Sequence, residues 1–350
     1  MANGITETIG LDVGDRYTRY SIVDQRSGDE VGTGRVRTTP GHVEQFLTSY
    51  PRSRVVLEVG THSRWISQAA QSCCEETLVA NPRKLRFIFR NDRKSDAVDA
   101  FALARVGRLD PTLLAPIRHR SEGAQRDLTA IRARAELVSA RTKLVNALRG
   151  IVKSYGFRLP PMATHRIGPS SLEFIPEALH GVLRPLLHSI EALSEEIAEY
   201  DHRIDSLAEE KYPESRCFTQ VYGVGNLTAM AFLLTIEDRD RFRSSRTVGA
   251  FFGLVPRRDQ SGAVEKQLSI TKAGDPMVRT LLVQCAHKVL AKNAPDSDLR
   301  RAGERIASRG GRTAKRRAVI AVARKLAVLM HALWRSGEVY EPLRNQAQAG

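Results

Sequence analysis

The 350-residue sequence lacks a hydrophobic run long enough to cross a membrane. The apolar stretch at residues 318–330 is interrupted by Arg324 and Lys325, whereas a membrane-spanning helix needs about 20 mostly apolar residues. The N-terminus also lacks the basic and apolar segments of a secretory signal. We therefore expect a cytoplasmic protein with no membrane partner.

Cysteine is scarce, with four residues in the chain. None forms a C-x-x-C pair with partner histidines, and this argues against a structural zinc site. Adjacent cysteines such as Cys73 and Cys74 seldom bridge each other. We predict that Cys73, Cys74, Cys217 and Cys285 are reduced and mostly buried thiols.

Acidic residues are too few to balance the basic ones. The chain holds 54 Lys and Arg against 39 Asp and Glu, which gives a net charge of +15 and a pI near 10.0. Such an excess predicts a polyanionic partner, and without a membrane segment nucleic acid is favoured. With 42% hydrophobic residues over this length, the chain can bury two or three domain cores.

The first hundred residues alternate between strand and helix patterns in the α/β manner. Strands are predicted at residues 6–14, 18–25, 32–39, 53–60 and 77–81, and helices at 42–50, 63–75 and from Asp96 onward. A ribonuclease-H-like sheet has this composition of elements. We predict such a domain for residues 1–115.

The remaining sequence is predominantly helical. Long amphipathic helices are predicted at about 118–150 and at 181–210, joined by a proline-rich linker. They indicate a coiled-coil-like hairpin or a dimer seam, and an intramolecular helix pair fits them equally well. We assign residues 116–215 to this segment and 216–350 to a third, mostly α-helical domain that ends in a basic helix.

Four carboxylates stand at informative positions. Asp96 and Asp99 lie three residues apart on one helix face, as ordinary first-turn acids after a Ser95 cap would. Asp12 and Glu58 are lone acids in apolar strands, where an uncompensated charge costs several kcal/mol. In a ribonuclease-H-like sheet the first and fourth strands are neighbours and the last helix crosses them. The four acids could then converge on two Mg²⁺ ions that cleave a phosphodiester.

Two glycine motifs in the third region have separate interpretations. Gly223 and Gly225 fit a helix-hairpin-helix that offers backbone N–H groups to a phosphate, or else a simple loop. Ser261 beside Gly262 fits an ordinary hairpin turn, and Ser244 and Ser245 fit a helix cap. No histidine stands at triad spacing, so a general base would be a carboxylate or metal-bound water.

Clusters of cations accompany these motifs. They either contact a nucleic-acid backbone or form solvated faces. The candidate nucleic-acid contacts are Arg83, Lys84, Arg86, Arg90, Arg93, Lys94, Arg257, Arg258, Lys272, Arg312, Lys315, Arg316 and Arg317, together with Gly223 and Gly225.

The order of six segments resembles one family. "IGLDVG", "LEVG", "KSDAVDA", "GVGNLTA", "FRSSRTVGAFFGLVPRRDQSG" and "ITKAGDPMVRTLLVQCAH" resemble the DEDD-type insertion-sequence transposases, which include bridge-RNA-guided recombinases and Piv-type invertases. The resemblance implies a RuvC-like domain whose Asp12, Glu58, Asp96 and Asp99 hold Mg²⁺ or Mn²⁺. It also implies that Ser261 attacks a DNA phosphate and forms a phosphoserine intermediate.

The resemblance further implies the partners. A structured noncoding RNA would pair with donor and target DNA, and protein dimers would assemble into a tetramer with composite active sites, associated with the nucleoid when active. Two rival interpretations remain from the residues: a metal-dependent junction nuclease that forms no protein–DNA adduct, and a non-catalytic nucleic-acid-binding protein.

Overall fold

A five-stranded mixed sheet organises the first of two compact units. The computed structural model describes residues 4–85, 96–261 and 264–344, and the chain divides into units of residues 1–119 and 120–350. In the first unit the strands are β1 (Glu7–Val13), β2 (Tyr17–Asp24), β3 (Glu30–Arg37), β4 (Ser53–Glu58) and β5 (Glu76–Ala80). The helices are α1 (Pro40–Thr48), α2 (Ser63–Cys73), α3 (Pro82–Leu85) and α4 (Asp96–Leu109).

The strand order in this sheet is β3-β2-β1-β4-β5. β1 pairs antiparallel with β2 and parallel with β4, and β4 pairs parallel with β5. Long connections separate the strands of each parallel pair, as parallel pairing requires: α2 joins β4 to β5, and the chain passes through β2, β3 and α1 between β1 and β4. This order confirms the predicted α/β sheet with its first and fourth strands side by side.

The two faces of the sheet are covered by different helices. Ile9, Leu11 and Leu57 pack against α1 and α2 in one apolar core, while Val56 packs with Leu103 of α4 on the other face. This division follows from strand geometry, in which successive side chains point to opposite faces. On the α4 face, the buried Arg54 donates from Nη1 to the Gly107 carbonyl at 2.7 Å and pairs through Nε with Glu76 at 2.5 Å.

The second unit begins with two long helices that pack on each other. They are α5 (Glu122–Ser154) and α6 (His180–Ser206), separated by three short 3-10 turns. Arg134 pairs with Asp201 at 2.6 Å across the two helices. A small core lies beneath the connecting segment, and it includes Leu148, Ile167 and Leu187. The pairing is intramolecular, and the predicted dimer seam stays a prediction.

The rest of the second unit surrounds a single large core. Its elements are α7 (Arg216–Thr219), α8 (Asn226–Ile236), α9 (Val248–Phe251), β6 (Pro256–Ser261), β7 (Val264–Ile270), α10 (Pro276–Val289), α11 (Asp298–Ala307) and α12 (Gly311–Ser336). Leu128 of α5 and Ile204 of α6 belong to the same core as Phe232 and Leu326. The predicted segment 216–350 and residues 120–215 of the predicted segment 116–215 thus share this unit, and their division into domains stays a prediction.

Two predictions from composition can be compared with these elements. Across the described ranges, no helix is both long and apolar enough to cross a membrane. All four cysteines are free thiols, with Cys285 buried and the others half-buried. Burial raises the pKa of Cys217 to about 11, so this thiol stays protonated and unreactive at neutral pH.

Candidate functional site

Asp12 and Glu58 lie side by side at the carboxyl ends of neighbouring strands. Leu11 pairs in register with Leu57, so the next residue on each parallel strand is an acid. Strands about 4.8 Å apart bring two such side chains together on one face. Both residues are half-buried. The parallel β1–β4 pair therefore concentrates negative charge at one edge of the sheet.

Helix α4 brings its first turn to the same edge. A Cβ on Gly107 would stand 3.4 Å from the Thr8 side chain, and one on Gly10 would stand 2.0 Å from the Ala100 carbonyl oxygen. Helix and strand thus run in opposite directions, and Asp12 lies level with the first turn of α4. That turn carries Asp96, which is exposed, and Asp99, which is half-buried.

These four acids have the right chemistry for a divalent cation. All offer hard oxygen ligands, which Mg²⁺ and Mn²⁺ prefer, and the positive end of the α4 dipole favours carboxylates in its first turn. Among the residues that the structure describes, no three His, Cys, Asp or Glu side chains are grouped closely enough to hold a metal ion. The fold brings the acids to one edge without placing them in coordination geometry. Ser95, the predicted cap, lies outside the described residues.

A histidine that the sequence did not reveal stands at this edge. Trp65 donates from Nε1 to His62 Nδ1 at 3.1 Å, and His62 Nε2 lies 3.4 Å from an Asp15 carboxylate oxygen. Because Nδ1 accepts a hydrogen bond, the proton of the neutral ring is on Nε2. Its only sequence signal is a position four residues after Glu58, in the loop at the carboxyl end of β4.

The predicted serine loop is a two-stranded hairpin. Backbone pairing between Ser261 and Val264 closes β6 onto β7, so Ser261 is the last paired residue before the turn. Gly262 and the side chains of Ser261 and Arg258 lie outside the described part of the structure. Arg257 is exposed and donates from Nη2 to Ser269 Oγ at 3.2 Å.

The base of this hairpin is built with close backbone contacts. Gly253 has a φ of +69° and Gly274 a φ of +70°, and a Cβ on Gly274 would stand 2.0 Å from the Phe251 carbonyl oxygen. Arg279 donates to the Ala273 carbonyl at 2.9 Å. Lys272 adopts a φ of +53°, a strained conformation for a residue with a side chain. Such strain clusters at functional sites, and it supports a role for Lys272 beside the hairpin.

Gly223 and Gly225 lie in the turn directly before helix α8, and the helix-hairpin-helix that they suggested stays a prediction. Gly223 has a φ of +91° and packs on α10, where its Cβ would stand 3.1 Å from Lys288 Cβ. Gly225 is the N-cap of α8. The groove in front of this helix end is lined by Tyr222, Gly223, Val224, Gly225, Lys288 and Ala291.

Ser244 and Ser245 act within the fold, as their sequence position predicted. Ser244 Oγ accepts from the Arg246 N–H at 3.4 Å, a capping contact. Ser245 Oγ lies 2.9 Å from Nδ1 of the buried His331. Burial lowers the pKa of His331, so the ring is neutral at pH 7.

Some of the predicted nucleic-acid-binding cations are described by the structure, and others lie outside its described part. Arg312, Lys315, Arg316 and Arg317 are exposed on the first two turns of α12, where the helix dipole disfavours positive charge. Within the described residues none of them forms an ion pair. Arg83 is exposed at the start of α3. Arg86, Arg90, Arg93 and Lys94, with the side chain of Lys84, lie outside the described part.

Two family models match the chain in the order that the motifs suggest. One, described as a transposase of the IS116/IS110/IS902 family, matches residues 215–302, and the other, a DEDD transposase domain of IS110 elements, matches residues 9–157. With the acidic sheet edge, these matches define an enzyme of the DNA-recombining transposase class. The chain is thus similar to the transposases of the IS110/IS116 family, and its first half is similar to their DEDD domain.

Individual relatives show the same similarity. The chain is 32% identical over 62% of its length to the IS1111A transposase of Coxiella burnetii, and the match spans 60% of that relative. It is 26% identical over 79% of its length to the IS1328 transposase of Yersinia enterocolitica, covering 82% of it. It is also 29% identical over 42% of its length to a pilin gene-inverting protein of Moraxella lacunata, covering 46% of that protein.

Proposed function

We propose that the chain is an RNA-guided DNA recombinase of an insertion sequence, which cuts and rejoins donor and target DNA through a phosphoserine intermediate. The observation that carries this proposal is the in-register placement of Asp12 and Glu58 with the first turn of α4 alongside. Transposase relatives and an inverting relative support the reaction class.

The acids are proposed to serve the phosphodiester. Asp12, Glu58, Asp96 and Asp99 would hold Mg²⁺ or Mn²⁺, and a bound divalent cation supplies charge stabilisation to phosphoryl transfer. Half-burial of Asp12 and Glu58 reduces the screening of their charge by water. The β1–β4 pairing holds the two carboxylates together, and the Arg54 contacts hold α4 on the sheet.

Ser261 is proposed as the nucleophile. Its Oγ would attack the phosphorus, so that the P–O3′ bond breaks, the serine proton passes to a base and the leaving 3′ oxygen takes up a proton. A 3′-hydroxyl from another strand would then attack the phosphoserine and release Ser261. Its backbone forms the closing pair of the hairpin, directly before the turn. Lys272 would balance the phosphate charge.

The partners follow from the same proposal. A structured noncoding RNA would select donor and target DNA by base pairing, and the net charge of +15 suits both nucleic acids. Two protomers would form a dimer through the α5–α6 segment, and dimers would pair into a tetramer. The acids of one protomer would act with Ser261 of another.

A second function is favoured by one observation. Ser261 closes a hairpin, and serine beside glycine is ordinary turn chemistry. The chain would then be a metal-dependent junction nuclease in which the acids hydrolyse DNA without a covalent adduct.

The experiment that tests the role of the acids compares carboxylate variants. Purified protein, RNA from the flanks of the element, Mg²⁺ and labelled DNA are incubated, and strand cleavage is measured. Asp12→Asn and Glu58→Gln should each abolish cleavage. The control Asp29→Asn removes an exposed carboxylate from the β2–β3 turn and should leave it intact. Cleavage that persists in Asp12→Asn would overturn the proposal.

A further inference from the structure

The acidic edge continues as a row across the sheet. In the antiparallel ladders Asp12 pairs with Arg19, and Arg19 pairs with Arg35. Directly paired residues project from the same face, so this row joins Glu58, Asp12, Arg19 and Arg35 on one face. Three strand spacings of about 4.8 Å make the row roughly 14 Å long.

Two further residues extend the positive half of the row. Tyr17 and Arg37 pair with each other one pleat further along β2 and β3, on the same face as Arg19 and Arg35. The Arg35 guanidinium lies 4.6 Å from the centre of the Tyr17 ring. We call Tyr17, Arg19, Arg35 and Arg37 the cationic strip.

Helix α4 covers the part of this face that lies next to the cationic strip, and it leaves the strip itself exposed. Ser21, two residues after Arg19 on β2, is fully buried, and Gly10, its partner on β1, touches α4. All four residues of the strip are exposed, with Tyr17 at 41%. The strip is therefore a solvent-exposed surface that adjoins the acids on the same face of the sheet.

Two of the cations in the strip repel each other. Arg19 and Arg35 are opposite each other, and like charges at such positions destabilise a sheet. Neither forms an ion pair with any residue that the structure describes. Arg35 stacks on Tyr17, which leaves its N–H groups free to donate. An anion with several phosphates would turn this repulsion into binding.

We propose that the cationic strip binds the DNA strand whose phosphodiester is delivered to the acids. The inference rests on the proposed function and deepens it, because it assigns the path of the substrate. Arg19 and Arg35 contact successive phosphates on the approach to Asp12. Tyr17 stacks on an unpaired base, as aromatic residues do in single-strand channels. The strip fits a strand that has left its duplex.

The test measures affinity for labelled single-stranded DNA without divalent metal, in an Asp12→Asn background that cannot cleave. Arg19→Gln with Arg35→Gln should weaken binding at least tenfold and lower the slope of log affinity against log salt by about 1.4, at about 0.7 for each phosphate contact. Tyr17→Leu should weaken binding about tenfold with the slope unchanged. Cleavage plays no part in this assay. A negative result would therefore refute the role of the cationic strip without refuting the proposed function.

The control pair is Arg26→Gln with Arg52→Gln, which removes two exposed cations from the opposite edge of the sheet. It should change neither affinity nor slope. Arg19→Lys with Arg35→Lys should keep the salt slope, and the Arg19→Gln with Arg35→Gln variant, which loses the repulsion between the two cations, should unfold at or above the temperature of the parent. Equal losses in the two glutamine pairs would overturn the proposal, and so would loss of RNA affinity with DNA affinity unchanged.

Discussion

Gly10 of β1 and Ala100 of α4 approach so closely that a Cβ on Gly10 would stand 2.0 Å from the Ala100 carbonyl oxygen. This backbone contact sets the height of α4 on the sheet. It also determines how near Asp96 and Asp99 come to Asp12, because all three lie at the same end of the contact.

We expect Gly10→Ala to disturb the acidic edge. The new methyl group forces α4 outward, and overpacking of this kind costs about 1–3 kcal/mol or more. The melting temperature should fall, and Mg²⁺-dependent cleavage should be lost. Gly41→Ala is the matched control, since a Cβ there meets nothing within 4 Å. It should be neutral or stabilising by up to about 1 kcal/mol. Unchanged cleavage in Gly10→Ala would refute this role.

Arg54→Met should loosen the other end of α4. The substitution removes the donors to Gly107 and Glu76, and a buried carbonyl left without its partner costs about 1–3 kcal/mol. We expect faster amide hydrogen exchange in α4 and a lower melting temperature. Arg52→Met, at an exposed site in the same unit, should leave both unchanged. Exchange in α4 that is insensitive to Arg54 would contradict the contact's importance.

His331 should give the second unit a pH-dependent stability. Burial lowers its pKa, as does nearby Arg335, although Asp240 and the Arg239 backbone act in the opposite direction. A lowered histidine pKa means that the unfolded chain binds the proton more readily. Stability should be complete above about pH 6.5 and fall below it, by at most about 1.4 kcal/mol per pH unit.

Urea unfolding measures this effect. Trp65→Phe leaves Trp334, which lies beside His331, as the fluorescent reporter of the second unit, because the chain has two tryptophans. Between pH 7.5 and 5, His331→Gln should show a shallower loss of stability than the parent. Identical pH profiles for the two proteins would show that His331 is not the responsible group.

The cations at the start of α12 should lower the stability of the helix and raise the affinity of the protein for nucleic acid. Glutamine at Arg312, Lys315, Arg316 and Arg317 removes cations from the positive end of the helix, so the melting temperature should stay the same or rise. Nucleic-acid affinity should fall, and its salt slope should decrease by about 3 if each cation meets a phosphate.

An equal-charge control separates this effect from net charge. It replaces four exposed cations on α5 and α6 with glutamine, namely Lys143, Lys153, Arg184 and Arg203. Affinity measured against salt should then be close to that of the parent. A similar loss in both quadruple variants would mean that the α12 cations form only a solvated face.

Local patterns were sufficient to predict the five strands of the first unit and its helices α1, α2 and α4, whereas the short α3 was not predicted. In β1 and β4 the residues either alternate between apolar and polar or form a continuous apolar run, and glycines and turns flank both strands. Their observed bounds, Glu7–Val13 and Ser53–Glu58, lie within the predicted ones. The hairpin of β6 and β7 was predicted only as a turn around Ser261. Its strands are mostly polar, so no apolar alternation marks them, and backbone pairing rather than burial forms the ribbon.

The site depended on information that is not local. The neighbouring positions of Asp12 and Glu58 could be predicted because a ribonuclease-H-like sheet places its first and fourth strands together. The cationic strip could not, because Arg19 and Arg35 each resemble a solvated strand position until the register of three strands is known. Gly10 carried a readable signal, since a glycine inside a strand often marks close backbone approach.

The most direct test of the central claim asks whether DNA becomes attached to the chain. Protein, guide RNA, Mg²⁺ and end-labelled donor and target DNA are combined and separated on a denaturing protein gel. The account predicts label that migrates with the protein, is retained in the control Ser244→Ala, and is lost in both Ser261→Ala and Asp12→Asn. Cleaved DNA without an adduct, unaffected by Ser261→Ala, would contradict it and identify a metal-dependent nuclease.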